Sequence, residues 1–308
     1  MNYWTIDFSI DIGYNRPNLS PCATWNPNPV RFINGSYRNF RPYVVFIDRN
    51  DTLYVTDRYY DRVYKWPDGS TSPSRTLSSG VKEPESLFVS SRGDIYIHNR
   101  ADATITKWIE TTNTTEFITK FCDVCSTIFI GINNVLYCSM PNHHQVVTKS
   151  LHSDTNMLTI VAGVGFEGSE RHMLAEPRGI FVNTNLDLYV VDYGNGRIQR
   201  FPSGEINAVT IVHIPNDGTF YSFPQNIVLD ANDQIYIQMY SIGSIYRLGP
   251  IGYQCIAYCD EPTDGIPESL SAPQNIVFDS SGNIYTVDPD NTYIQKTLLS
   301  KNTCGQYY

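Results

Sequence analysis

Six ungapped windows of 16 residues recur along the chain, and they restrict its fold more than any other feature. They are PYVVFIDRNDTLYVTD from Pro42, PESLFVSSRGDIYIHN from Pro84, CSTIFIGINNVLYCSM from Cys125, PRGIFVNTNLDLYVVD from Pro177, PQNIVLDANDQIYIQM from Pro224 and PQNIVFDSSGNIYTVD from Pro273. The thirteenth place is tyrosine every time: Tyr54, Tyr96, Tyr137, Tyr189, Tyr236 and Tyr285. The place before it is Leu or Ile, and the fifth is Phe or Val. Each window reads as an apolar strand, a polar turn rich in Asn, Asp and Gly, and a second apolar strand, which is a β-hairpin. A third strand comes next, in traces such as RVYKW from Arg62, RIQRF from Arg197 and YIQKT from Tyr293. Less regular apolar runs then lead to the next window, as in LTIVAGV from Leu158, VTIVHI from Val209 and YQCIAY from Tyr253. Four antiparallel strands per unit, at intervals of 42, 41, 52, 47 and 49 residues, predict an all-β, six-bladed β-propeller.

The last window begins at Pro273, with only 36 residues from there to the C-terminus, about one strand too few for a blade. The apolar run from Val30 to Ile33 supplies it, pairing beside Tyr293 to Leu299 and closing the ring with both ends of the chain. Residues 22–308 are therefore expected to form a single propeller, with 22–41 completing the last blade and 1–21 an N-terminal extension. Trp4, Ile6, Phe8, Ile10 and Ile12 alternate with polar residues, which predicts one extra half-buried strand there. Cys22 and Cys304 flank the seam and are read as a disulfide latch. Cys255 with Cys259, and Cys122 with Cys125, each can close a short loop, while Cys138 is either buried and free or bonded to Cys122 or Cys125.

The windows and their continuation resemble NHL repeats, most fully in PRGIFVNTNLDLYVVDYGNGRIQRFPSGE from Pro177. Departures are Cys125 in place of the proline, Asn99, Met140 and Met239 in place of the strand-ending Asp, and an Arg kept only as Arg62 and Arg197. The resemblance implies the propeller fold and leaves the function open, because propellers host binders and enzymes alike.

Several chemistries are then weighed. GVGFEG, from Gly163, has the spacing of a dinucleotide loop but leads into a strand instead of a helix, and is read as a turn. Asp57, Asp192 and Asp288, with Asn99, end the second strands and are expected to accept backbone N–H groups from the adjoining loops. The second and third places of each window begin the innermost strands and so face the channel mouth, placing Glu85, Arg178, Gln225, Asn226, Gln274 and Asn275 there. Calcium through Glu85, Asn226 and Asn275 is the one metal possibility, short of negative charge, and no cofactor is otherwise expected. The histidines lack a shared spacing, and no Ser-His-Asp arrangement or nucleophile elbow occurs.

Loops joining second to third strands share one rim, which carries Arg58, Tyr59, Tyr60, Arg100, His143, His144, Tyr193, Arg197 and Tyr240 as candidate binding residues. A net charge of -9 excludes a phosphate-backbone partner, and no run is long enough for a membrane span. Seven cysteines point to an extracellular or cell-surface location, although no signal peptide opens this chain. The reading is a non-enzymatic scaffold binding a protein or small ligand on the loop rim. The alternatives are a recognition propeller resembling that of NHL-type ubiquitin ligases, and a metal-dependent propeller enzyme resembling lactonases or amidating lyases.

Overall fold

A computed structural model describes residues 12–33, 40–153, 155–214, 223–240, 243–249, 252–259, 273–290 and 292–304. Six four-stranded antiparallel sheets form the ring, and no α-helix occurs among the described residues. In blade one, Pro42–Ile47, Leu53–Asp57, Arg62–Trp66 and Arg75–Leu77 run from the channel outward. Blade six is completed by Val30–Ile33, which lies outside Tyr293–Thr297 with Val30 opposite Lys296 and Ile33 opposite Ile294. Its inner strand, Ile276–Phe278, packs against Pro42–Ile47 of blade one and so closes the ring. Leu299–Lys301 then pairs with Thr24–Trp25, and Cys22 is bonded to Cys304 across the same seam.

The repeated residues build each blade for identifiable reasons. All six thirteenth-place tyrosines are buried, and their hydroxyls need partners there. In blades one and five the partner is the turn carboxylate: Tyr54 donates to Asp48 at 3.0 Å and Tyr236 to Asp230 at 3.3 Å. The same carboxylates accept turn N–H groups, Asp48 from Asn50 and Thr52, Asp230 from Asn232 and Gln234. One acidic residue thus satisfies the turn and the column. The fifth-place residues face the channel as a lower ring in which Phe46, Phe88, Phe129 and Phe181 succeed one another at centroid spacings of 5.0 to 5.2 Å.

The inner strands of blades one, two, four and five shift register between the first and the third or fourth place of the window. Such a bulge re-aims side chains at a strand end. Here it turns the second and third places toward the mouth of the channel.

The alternating segment expected as a strand lies almost wholly outside the described residues, but residues 13–16 take a defined path under the ring. Gly13 passes so close to blade two that a Cβ there would stand 2.2 Å from the Val89 carbonyl oxygen. Tyr14 then inserts edge-on among Phe88, Phe129 and Phe181, at 6.0, 5.2 and 5.5 Å. Asn15 donates to the Asp48 carbonyl and the Asp51 carboxylate, both at 2.8 Å, and Arg16 bonds to Asp230 and Asp233. The segment therefore tethers blades one and five while its tyrosine stops the channel.

Three cysteine pairs are bonded, Cys22 to Cys304, Cys125 to Cys138 and Cys255 to Cys259. Cys122 is free and exposed. The short loop expected from Cys122 to Cys125 is thus corrected: Cys125 precedes the inner strand of blade three and Cys138 lies on the strand paired with it, which brings their Cα atoms to 5.3 Å.

Candidate functional site

A cavity of about 100 Å³ runs down the axis, floored by Tyr14 and the phenylalanine ring and opening between the second- and third-place residues. Its lower wall is apolar and its mouth polar, the arrangement of a small-molecule site.

The mouth divides into two halves. On blades one and two, Tyr43 donates its hydroxyl to Glu85 Oε1 at 3.1 Å. Arg58 Nη1 lies 3.0 Å from Glu85 Oε2, with its guanidinium 5.0 Å above the Tyr43 ring, and Arg100 Nε is 3.8 Å from the same oxygen. The Glu85 side chain is 13% exposed, so these interactions act with little screening. Burial pushes the Glu85 carboxyl above the usual glutamate range, against Arg58, the Tyr43 hydrogen bond and Arg100, which all favour the charged form. The Tyr43 hydroxyl is pushed up to about 12, first by burial and then by the neighbouring carboxylate, and so is a donor at neutral pH.

On blades four, five and six, Arg178 Nη1 donates to Gln225 Oε1 at 2.6 Å, and Gln225 Nε2 reaches Gln274 Oε1 at 3.4 Å. The Arg178 guanidinium sits 3.5 Å from the Tyr193 ring centroid and 5.7 Å from that of Tyr240. Ser126 and Thr127 of blade three separate the halves along the wall. Gly179, next to Arg178, admits the backbone of blade five, since a Cβ there would meet the Asn226 Cα at 2.7 Å.

The residues named for calcium do not form a ligand set. Asn275 uses both ends of its amide on the Val45 backbone, at 2.6 and 3.0 Å, bracing blade six to blade one. Asn226 Oδ1 accepts the Ile227 N–H at 2.6 Å, and Glu85 is gripped by Arg58. Among the described residues no three of His, Cys, Asp and Glu cluster as metal ligands. The strand-ending carboxylates serve the loops. Asp57 accepts the backbone N–H groups of Arg41 and Tyr60, and Asp192 accepts the backbone N–H of Ala175 together with the side-chain Nδ2 of Asn195 and Nε of Arg197.

The rim candidates separate in the same way. Arg58 and Arg100 converge on Glu85, and Tyr193 and Tyr240 on Arg178. Tyr59 and Tyr60 stack on each other at 4.9 Å, and Tyr59 also carries the Arg41 guanidinium at 4.5 Å. His143 faces Asp123 at 3.5 Å, and His144 Nδ1 accepts the Glu176 N–H at 3.1 Å. Arg197 is not available to a partner. It is buried, 2.6 Å from Asp192 Oδ2, and donates to the carbonyls of Ser169, Glu170 and Met173. It thereby holds the insertion that begins with GVGFEG, where no helix opens and the turn reading applies.

The convergence of Arg58 on Glu85 and the plug formed by Tyr14 escape the sequence pattern. The first joins residues 27 positions apart on adjacent blades, and the second depends on a segment crossing under the ring. The only local signal for the plug is Gly13 preceding an aromatic residue.

The family profile for the NHL repeat matches residues 174–201, in blade four. No curated protein sequence matches the chain. Among solved structures, the chain is similar to a streptogramin B lyase at 15% identity, with a TM-score of 0.63, covering 89% of this chain and 98% of that one. It is similar to a virginiamycin B lyase from Staphylococcus aureus at 14% identity and a TM-score of 0.61, over 89% and 99% of the two chains. A gluconolactonase-like protein matches at 14% identity and a TM-score of 0.63, over 94% and 98%. Likeness at this level is likeness of fold. The expectation of a non-enzymatic binding scaffold is corrected by these matches, since the similar structures are two lyases and a gluconolactonase-like protein. With the ring complete, the chain is a six-bladed β-propeller whose fourth blade carries a match to the NHL repeat.

Proposed function

We propose that the chain is a propeller enzyme that opens esters or lactones by acid–base catalysis at the channel mouth. The observation that carries this reading is Glu85, a nearly buried carboxylate held by Tyr43 and Arg58 at the entrance of a blind cavity. A general base must be positioned first and tuned second. Glu85 has one oxygen oriented by the Tyr43 hydroxyl and the other within ion-pairing distance of two arginines, and its burial raises its proton affinity.

In this reading Glu85 takes a proton from a water molecule as its oxygen adds to the ester carbonyl. The Arg58 and Arg100 guanidinium groups lie where negative charge collects on the former carbonyl oxygen. Collapse breaks the C–O bond, and Glu85 returns its proton to the departing alkoxide, leaving a hydroxy acid. Water and ester are consumed in equal number and Glu85 is regenerated. No step passes through a metal, since Glu85, the carboxylate at the mouth, is already paired with cations.

The similarity to lyase and gluconolactonase-like structures supports the enzyme class. Three disulfides support a site of action in an oxidising compartment outside the cytosol. No helix among the described residues is long and apolar enough to cross a membrane. The test is hydrolysis of a panel of sugar lactones and cyclic esters, monitored by acid release. Turnover by the wild type that is lost in Glu85→Gln supports the proposal, and a panel left untouched by the wild type overturns it.

A further inference from the structure

Arg178 differs in its surroundings from the arginines across the mouth. Arg58 and Arg100 share the Glu85 carboxylate. Among the described residues no carboxylate lies within ion-pairing distance of Arg178, although the chain has 31 Asp and Glu against 22 Lys and Arg. Its side chain is nonetheless set in place. The guanidinium lies on the face of Tyr193 at 3.5 Å, is approached by Tyr240 at 5.7 Å, and is steered by Gln225, which lines the cavity. Tyr193 is itself supported by Phe223, with ring centroids 5.2 Å apart.

A half-buried cation held in one orientation, with no ion-pair partner among the described residues, is primed for an anion. Stacking fixes the plane of the guanidinium and leaves an edge with donors beyond the one spent on Gln225, which suits the two oxygens of a carboxylate. Arg178 is followed along this side of the mouth by the neutral amides of Gln225 and Gln274, so the supply is one guanidinium and two amides. A singly charged group fits that supply better than a phosphate dianion, which recruits several donors.

We propose that Arg178, with Gln225, anchors a carboxylate of the ligand at the lip of the channel, so that the substrate is an ester or lactone that also bears a carboxylate. This deepens the reading of the mouth as an ester-opening site and rests on it for the identity of the reacting group. In an acidic protein, the cations at the mouth also steer such an anion toward the axis.

The experiment separates the two claims by measuring binding without turnover. Glu85→Gln protein is titrated calorimetrically with glycolate, glutarate and gluconate, each beside its neutral amide, and with inorganic phosphate. The expected result is that a carboxylate binds, its amide does not, and affinity falls about tenfold or more when Arg178→Gln is added. Arg178→Lys, which keeps the charge and loses the fork, is expected to recover only part of that affinity, and melting temperatures check that each variant is folded. Binding that ignores Arg178, amides that bind as well as acids, a preference for phosphate, or no carboxylate bound at all overturns the proposal. Carboxylate binding in a protein that hydrolyses nothing would keep the anion site and reject the ester-opening reaction. Hydrolysis with no dependence of KM on Arg178 would do the reverse.

Discussion

The hydroxyl of Tyr43, on blade one, donates to the carboxylate of Glu85, on blade two, at 3.1 Å across the channel mouth. The bond joins two blades through their second-place residues, and it favours the ionised form of a carboxyl that burial pushes the other way. Catalysis by the ionised form is therefore lost as pH falls through a pKa above the usual glutamate range. Tyr43→Phe removes a donor to the charged form, so the acid limb of kcat/KM is expected to move to higher pH. A pH–rate profile checks this, and a shift to lower pH would contradict the assignment.

The floor of the cavity is tested by Tyr14, whose ring meets three phenylalanines and whose hydroxyl donates to the Val182 carbonyl at 3.4 Å. Tyr14→Ala should destabilise the fold by roughly 3–5 kcal/mol, as for other buried aromatic truncations. Tyr14→Phe should cost only about 1 kcal/mol, the usual worth of one hydrogen bond. Denaturant midpoints measure both, and an unchanged midpoint for Tyr14→Ala would show that the plug is not seated.

The seam is tested by its disulfide. Cys22 and Cys304 are 282 residues apart, so their bond restricts the unfolded chain far more than that between Cys255 and Cys259, separated by 4. Replacing the first pair with serine is expected to cost roughly 5–6 kcal/mol in the chain-entropy account, and the second pair much less. Thermal melts rank the two. Thiol titration of denatured, unreduced protein should find Cys122 alone reactive.

His98 sets a second pH dependence. It is buried, its Nε2 accepts the Cys125 N–H at 3.3 Å, and burial pushes its imidazole down to about 4. The folded chain therefore keeps it neutral while the unfolded chain takes up a proton below about pH 6.5. The stability so contributed is complete above that pH and is lost as pH falls toward 4, by roughly 2–3 kcal/mol. His98→Gln should flatten that part of the stability profile in urea melts between pH 7 and 4, and an unchanged slope would contradict the burial argument.

The blades were legible because their determinants are local. A tyrosine at the thirteenth place recurs in every hairpin, joined in blades one, five and six by an acid at the seventh, as in Tyr54 and Asp48, and both lie within one hairpin. Val30–Ile33 was legible as the missing strand because a ring must close. The site was legible only in part. The window places Glu85 and Arg178 at the mouth, but their environments come from other blades and loops. Arg58 reaches Glu85 from the preceding blade, and Tyr193 lies beneath Arg178 from the loop after the second strand. No periodicity encodes such contacts. Arg197 shows the converse error, since its place on the rim concealed a buried ion pair with Asp192.

The most direct test of the account compares wild type and Glu85→Gln in the hydrolysis of carboxylate-bearing lactones, with melting temperatures confirming that both are folded. The account predicts turnover by the wild type and a loss of about 100-fold or more in kcat for the variant, the range expected when a general base is removed. Equal rates for the two proteins would contradict it.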